Sequence, residues 1–390
     1  MHEQKQQEEL DGINTLSDYV GEYINGNGGG TTEPEDPTKD WNLDKVDKVT
    51  SDDNIVVPVP KGYVKSTIPG EKSVSTGFVI KEGDNGAATE GVNEFVWVPV
   101  PEISDIYDEA NKAGQLWDFG TKSSPKNPAE KRTYPTILND GYREPDVVTY
   151  ADSGQDSASG SKSDADLNNL KRAGFDTENM ENDLNSDGKV NAYDFKKQLQ
   201  NEFNRMIESV RVYKGFYIGR YETGNLSSTT KAVVQKNNSD IGSQAWYIQY
   251  KLSKTIGANE NVKSSMIWGC QWDATLRWMQ TSKNEEVKNF PINSKGKGNY
   301  AGTQGSTNKA IPTGSNPTYA VNNIYDMAGN VYDWTLESNL TNARIRRGDY
   351  YGNGSFYTAS SRDNCGPNDS GVYNGSRSTL YVALSKLDGN

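Results

Sequence analysis

The stretch Asn323-Ile-Tyr-Asp-Met-Ala-Gly-Asn-Val-Tyr-Asp-Trp-Thr335 stands just ahead of an abrupt change in composition. From Ser338 to Ser385 there is no Lys, Glu, Gln, Met or Trp. Tyr, Asn, Ser, Gly, Asp and Arg take their place, as in RRGDYYGNGSFYTASSRDNCGPNDSGVYNGSRSTLYV. This is the composition of a paratope. Tyr gives a large, stiff, amphipathic contact, and Ser, Gly and Asn give adaptable hydrogen bonding. The other reading of the same residues is a Gly/Asn-rich loop region that needs unusual backbone angles. Inside the quoted stretch, one reading of Asn330 and Asp333 is that they fix a turn by side-chain-to-backbone hydrogen bonds.

The quoted stretch resembles the G-L-Y-D-M-x-G-N-V-W-E-W signature of the formylglycine-generating-enzyme family, which has a C-type-lectin-like fold. Other pieces follow in the family's order. Phe95-Val-Trp-Val-Pro-Val100 looks like its opening strand, and Gly215-Phe-Tyr-Ile-Gly-Arg-Tyr-Glu-Thr-Gly224 like its F-x-I-G-x-x-E-V-T segment. Trp272-Asp-Ala-Thr-Leu-Arg-Trp-Met279 looks like its W-x-x-A helix, and Arg346-Arg-Gly-Asp-Tyr350 stands where the family has R-G-G-S. The resemblance implies an α+β, loop-rich, lectin-like domain over residues 51–385, with a long insertion between residues 101 and 200. It also implies calcium near Asn330 and Asp333.

The resemblance implies an oxidase only if the residues for that chemistry are present. Oxidase members carry two nearby cysteines just after R-G-G-S, and soft thiolates suit Cu(I). Here those positions read Tyr351-Gly-Asn-Gly-Ser-Phe-Tyr357, and the only cysteines are Cys270 and Cys365. These two either pair or stand as free thiols. Relatives that use iron need several histidines, and this chain has only His2. Fold alone does not carry function. The alternative readings are an oxidase with a rearranged site and a structural, minor-pilin-like surface subunit.

Proteins diversified by retroelements also resemble this chain: a lectin-like core with a C-terminal variable segment. Randomised adenines in AAY codons cannot yield Lys, Glu, Gln, Met or Trp, which is the set missing from residues 338–385. The expected function is therefore non-enzymatic binding, by an adhesin or receptor-binding protein whose ligand is a protein or glycan on another surface. The expected contacts are Tyr350, Tyr351, Asn353, Phe356, Tyr357, Asp363, Asn364, Asn368, Asp369 and Tyr373. The closing strand is expected at Ser378–Ala383, with Leu380 and Val382 inward and the tyrosines largely exposed. Arg347-Gly-Asp349 spells the integrin-binding tripeptide, a match that three residues reach readily by chance.

A net charge of −12 argues against nucleic acid, whose phosphates need a basic surface. Leu10, Ile13, Leu16, Val20 and Ile24 recur at helical spacing, so residues 1–25 read as a helix or as a weakly helical tail. Residues 26–50 read as a flexible linker. A helix, a tether and a head are expected of a protein displayed on a cell surface or phage virion, with the helix joining an anchor or assembly.

Asn54–Pro60 and Ser75–Ile80 read as strands, with Pro58 and Pro60 placing the first at an edge. A short helix is expected near Ile106–Leu116. Asp183-Leu-Asn-Ser-Asp-Gly-Lys-Val-Asn-Ala-Tyr-Asp194 matches a twelve-residue EF-hand loop. Asp183, Asn185, Asp187, Lys189 (by its carbonyl), Asn191 and Asp194 are the candidate Ca2+ ligands, with Gly188 at the sharp turn. The other reading is an Asx-rich turn. After the loop, Phe195, Leu199, Phe203, Met206, Ile207 and Val210 mark an amphipathic helix.

Overall fold

Strand side chains alternate between faces, and the central sheet shows what this pattern builds. In the computed structural model six strands lie in the order Val262–Met266, Ser378–Val382, Gly215–Gly219, Glu94–Pro99, Val79–Glu82 and Tyr63–Lys65, all antiparallel. The model describes residues 36–133, 142–144, 192–225, 232–239, 244–303, 308–339, 344–354, 358–367 and 369–384. Val96, Val98, Phe216, Ile218 and Tyr381 enter one apolar cluster. Phe95, Trp97, Tyr217, Leu380 and Val382 enter the cluster on the opposite face. A sheet covered on both sides reads as a near-continuous apolar run, which is why these strands were legible. The closing strand has the expected place, with Leu380 and Val382 buried.

Helix Ala192–Tyr213 carries the expected apolar stripe. Phe195, Leu199, Phe203, Met206, Ile207 and Val210 are all buried. Phe195 packs edge-on against Trp246 and Tyr250, and the Phe203 ring centre lies 5.0 Å from that of Trp268. The helix is thus part of the main core rather than of an appendage. Helix Gly269–Gln280 lies in the same cluster and buries Trp272, Leu276 and Met279.

Three sequence expectations need correction. Residues 36–50, read as the end of a tether, belong to the folded unit. Val46–Thr50 pairs with Val56–Pro60, and Trp41 donates to the Val212 carbonyl at 3.2 Å. The helix expected near Ile106–Leu116 is a hairpin, Tyr107–Asp108 with Ala113–Gly114. A longer hairpin follows it, Trp117–Thr121 with Ser124–Lys131. The strand read at Ser75–Ile80 begins as a single 3-10 turn and becomes extended only at Val79–Glu82.

The strand Tyr142–Arg143 pairs with the end of Tyr332–Asn339 and places Glu144 at the N-terminus of helix Gly269–Gln280. Its carboxylate accepts from the Gly269 and Cys270 amides at 2.5 and 2.7 Å. Burial, with Glu337 nearby, pushes this carboxyl up to about 8 despite those donors. Desolvation outweighs the helix terminus here. Both cysteines are free thiols, so the alternative of a disulfide is not realised.

Candidate functional site

The stretch 323–335 works as a knot of turns. Asn322, Asn323, Asp326, Gly329 and Asn330 all have left-handed backbone angles, which Asn, Asp and Gly tolerate best. A Cβ at Gly329 would lie 2.6 Å from the Asn299 carbonyl oxygen, so no side chain fits there. Asp326 accepts from the Thr313 hydroxyl and the Gly314 amide at 2.9 and 2.8 Å. Met327, Ala328, Val331 and Trp334 fill the core between these polar anchors.

The strand that follows, Tyr332–Asn339, pairs with Arg344–Arg347, which pairs in turn with Arg362–Cys365. Asn374–Ser376 runs parallel beside Tyr332–Trp334. Alternation sends neighbouring arginines to opposite faces. Arg347 points inward and is wholly buried. It meets Asp273 at 2.6 Å and Glu337 at 3.2 Å. Arg362 completes the ring, meeting Glu337 at 3.1 Å and also bonding Asp273. The two arginine charges hold the Asp273 carboxyl below its usual range against the cost of burial. Because Arg347 is buried, the Arg347-Gly-Asp349 tripeptide is not presented as an integrin motif.

Arg377 plays a similar part beneath the knot of turns. Its Nε donates to Asp333 at 3.1 Å, and its Nη atoms donate to the Gly219 and Tyr325 carbonyls at 3.0 and 2.8 Å. Burial, then the charges of Asp326 and Asp333, push the Glu222 carboxyl well up, and Arg377 opposes this.

Arg346 points to the other face. Its guanidinium carbon lies 4.2 Å from the Tyr332 ring centre and 5.6 Å from that of Tyr373. It bonds Asp363, Asp369 and Asn374. Around it the rings of Tyr332 and Tyr350 stack at 4.9 Å, with Tyr373 5.5 Å and Tyr351 5.3 Å from Tyr350. None of these four tyrosines belongs to either apolar cluster. They are half-buried against one another, which for Tyr350, Tyr351 and Tyr373 corrects the expectation that the tyrosines are largely exposed. Asp349, itself left-handed, accepts from the Tyr350 amide at 2.9 Å and from the Asn353 side chain at 3.1 Å. Val372 is 59% exposed beside this cluster.

Of the expected contacts, Tyr350, Tyr351, Asn353, Asp363, Asp369 and Tyr373 come together, and Asn364 is exposed on the strand beside Asp363. Phe356, Tyr357 and Asn368 lie outside the described residues. Tyr332 was not anticipated. Alternation from the buried Trp334, two positions on, would have brought it to the same face as Arg346.

The metal residues fare differently. Asp183, Asn185, Asp187, Lys189 and Asn191 lie outside the described residues, and Asp194 is in the first turn of helix Ala192–Tyr213. Asn330 and Asp333, the calcium residues implied by the resemblance, are both engaged within the protein. The Asn330 side-chain oxygen accepts from the Ile311 amide and Asn299 at 2.9 and 3.1 Å, and its main-chain oxygen accepts from the Tyr351 amide. Asp333 faces a guanidinium. Among the described residues, no three His, Cys, Asp or Glu side chains converge as a metal site.

No protein-family model matches the chain, and no curated protein matches it. Solved structures do. "Structure of PvdO from Pseudomonas aeruginosa" is 17% identical, with a TM-score of 0.30, covering 44% of this chain and 82% of that one. "Crystal Structure of CarF" is 14% identical, with a TM-score of 0.31, covering 44% and 87%. "Treponema denticola variable protein 1" is 14% identical, with a TM-score of 0.28, covering 75% and 98%. A variable protein is thus among the structures similar to this chain.

Proposed function

We propose that this chain is a non-enzymatic binding protein that displays the face built around Tyr332, Tyr350, Tyr351 and Tyr373 on a lectin-like scaffold. One observation carries the reading. Tyr350, Tyr351 and Tyr373 gather with Tyr332 outside both apolar clusters, on a frame locked by buried arginines. Half-exposed rings with Asp and Asn beside them suit recognition, and rigid aromatic anchors bind at low entropic cost. Burial pushes the Cys270 thiol well up beside Glu144, and Cys365 donates to Asp369 at 2.8 Å. A pair of converging thiolates for copper is not what these residues supply.

The face would be carried on a cell surface or phage particle and would meet a protein or glycan of another surface. Diversification of residues 338–385 belongs to the same reading. It is tested in the source genome. A near-copy of the coding segment beside a reverse transcriptase gene, differing only at adenines, is the expected finding. A copy differing at other bases would reject diversification.

Calcium in the loop Asp183–Asp194 completes the proposal, as a structural ion at the entrance to helix Ala192–Tyr213. Asp183→Ala with Asp187→Ala should remove one calcium equivalent in a calorimetric titration. The core should remain folded, because the helix is held by its own apolar stripe. Equal stoichiometry in wild type and variant would refute the assignment.

A further inference from the structure

The tyrosine face carries an unbalanced charge. Asp363 and Asp369 line it, whereas Asp349 is buried beside it and burial raises its carboxyl; among the described residues, Arg346 is the cation bonded to the two lining carboxylates. Asp363 keeps 42% of its side chain exposed and Asp369 keeps 27%. The potential at the rings is correspondingly negative. The Asp369 charge, with some burial, raises the Tyr373 phenol. Burial, and then the charges of Asp349 and Asp363, raise that of Tyr332. The face also shows what it accepts, because Arg346 lies 4.2 Å from the Tyr332 ring centre with carboxylates at its edges. A guanidinium or ammonium over a tyrosine ring is attracted by the ring quadrupole, and a carboxylate beside it strengthens the contact.

Resting on the binding reading above, we propose that the partner is a protein presenting a basic segment, whose arginine or lysine side chains seat on the Tyr350, Tyr351 and Tyr373 rings beside Asp363 and Asp369. An acidic segment would meet repulsion from these carboxylates. A neutral glycan would use the rings but gain little from the charges. Charge complementarity of this kind sets partner choice and encounter rate.

The test uses the full chain and three fluorescent peptides, in which Gly-Ser repeats are interrupted by Arg, by Glu or by neither. Binding is followed by anisotropy at low and physiological salt. The Arg peptide should bind best and weaken with salt, as screening requires. Asp363→Asn with Asp369→Asn should weaken it at least about tenfold. Asp44→Asn with Asp84→Asn, which removes the same charge from two exposed sites elsewhere, should leave binding nearly unchanged. Asp363→Asn alone serves if the double variant does not fold. Equal loss in the two double variants would overturn the proposal, since the attraction would then be general. Preference for the Glu peptide, or for neutral glycans on an array, would also overturn it. If that preferred binding were lost in Tyr350→Ser with Tyr351→Ser, the face would remain a binding site. If no binding depended on those two tyrosines, both the proposal and the binding reading would fall.

Discussion

Replacing Arg347 by Met should lower the unfolding free energy by about 3–5 kcal/mol, the usual cost of breaking a buried ion pair from one side. Arg347 and Asp273 are wholly buried, as is Glu337, and Arg362 would be left to hold both carboxylates. The expected loss comes from stranded charge rather than from lost volume, since Met fills much of the same space. Urea unfolding checks it. A loss under about 1 kcal/mol would mean that the ring contributes no more than a surface pair.

Arg377→Leu should cost a similar amount, and its cost should depend on pH. Arg377 is the cation that opposes the upward shift of Glu222 and Asp326, and it also pairs with Asp333. Both shifted carboxyls have folded pKa values above their ordinary ones. Each therefore takes stability away as pH rises from the ordinary value through the folded one. Without Arg377 these folded values rise further. The deficit of the variant should be largest at pH 8 and shrink toward pH 5, where the carboxyls take up protons. Thermal melts of both proteins across that range measure it. A deficit independent of pH would show that Arg377 acts through its carbonyl contacts instead.

How far the sequence revealed this structure depended on whether the signal was local. Helix Ala192–Tyr213 was legible because six apolar residues recur at its own period. The strands Glu94–Pro99, Gly215–Gly219 and Ser378–Val382 were legible because both faces are buried. The strand Val46–Thr50 was not. Among the described residues it pairs only with Val56–Pro60, and Val46 is its one buried residue, so alternation had nothing to show. The hairpin at residues 107–114 is two residues per strand, too short for any period. The tyrosine face was half legible. Composition marked Tyr350, Tyr351 and Tyr373, but Tyr332 sits in the preceding motif and joins them only through strand pairing. The arginine frame was invisible. Arg347 meets Asp273, and Arg377 meets Asp333, across distances in the chain that no local pattern spans. The resemblance to R-G-G-S fixed the position of Arg346 and Arg347 without showing that one locks the frame and the other anchors the face.

The central claim is that residues 344–382 divide into a buried frame and a displayed face. The most direct measurement sets Tyr350→Ser with Tyr351→Ser and Tyr373→Ser beside Arg347→Met in the same urea unfolding experiment. The three rings lie outside both apolar clusters and stack chiefly on one another and on Tyr332. The account predicts a loss of at most about 2 kcal/mol for the triple variant, the scale of a few aromatic contacts, well short of that for Arg347→Met. A triple variant that unfolds as readily as Arg347→Met would contradict it and make these tyrosines part of the frame.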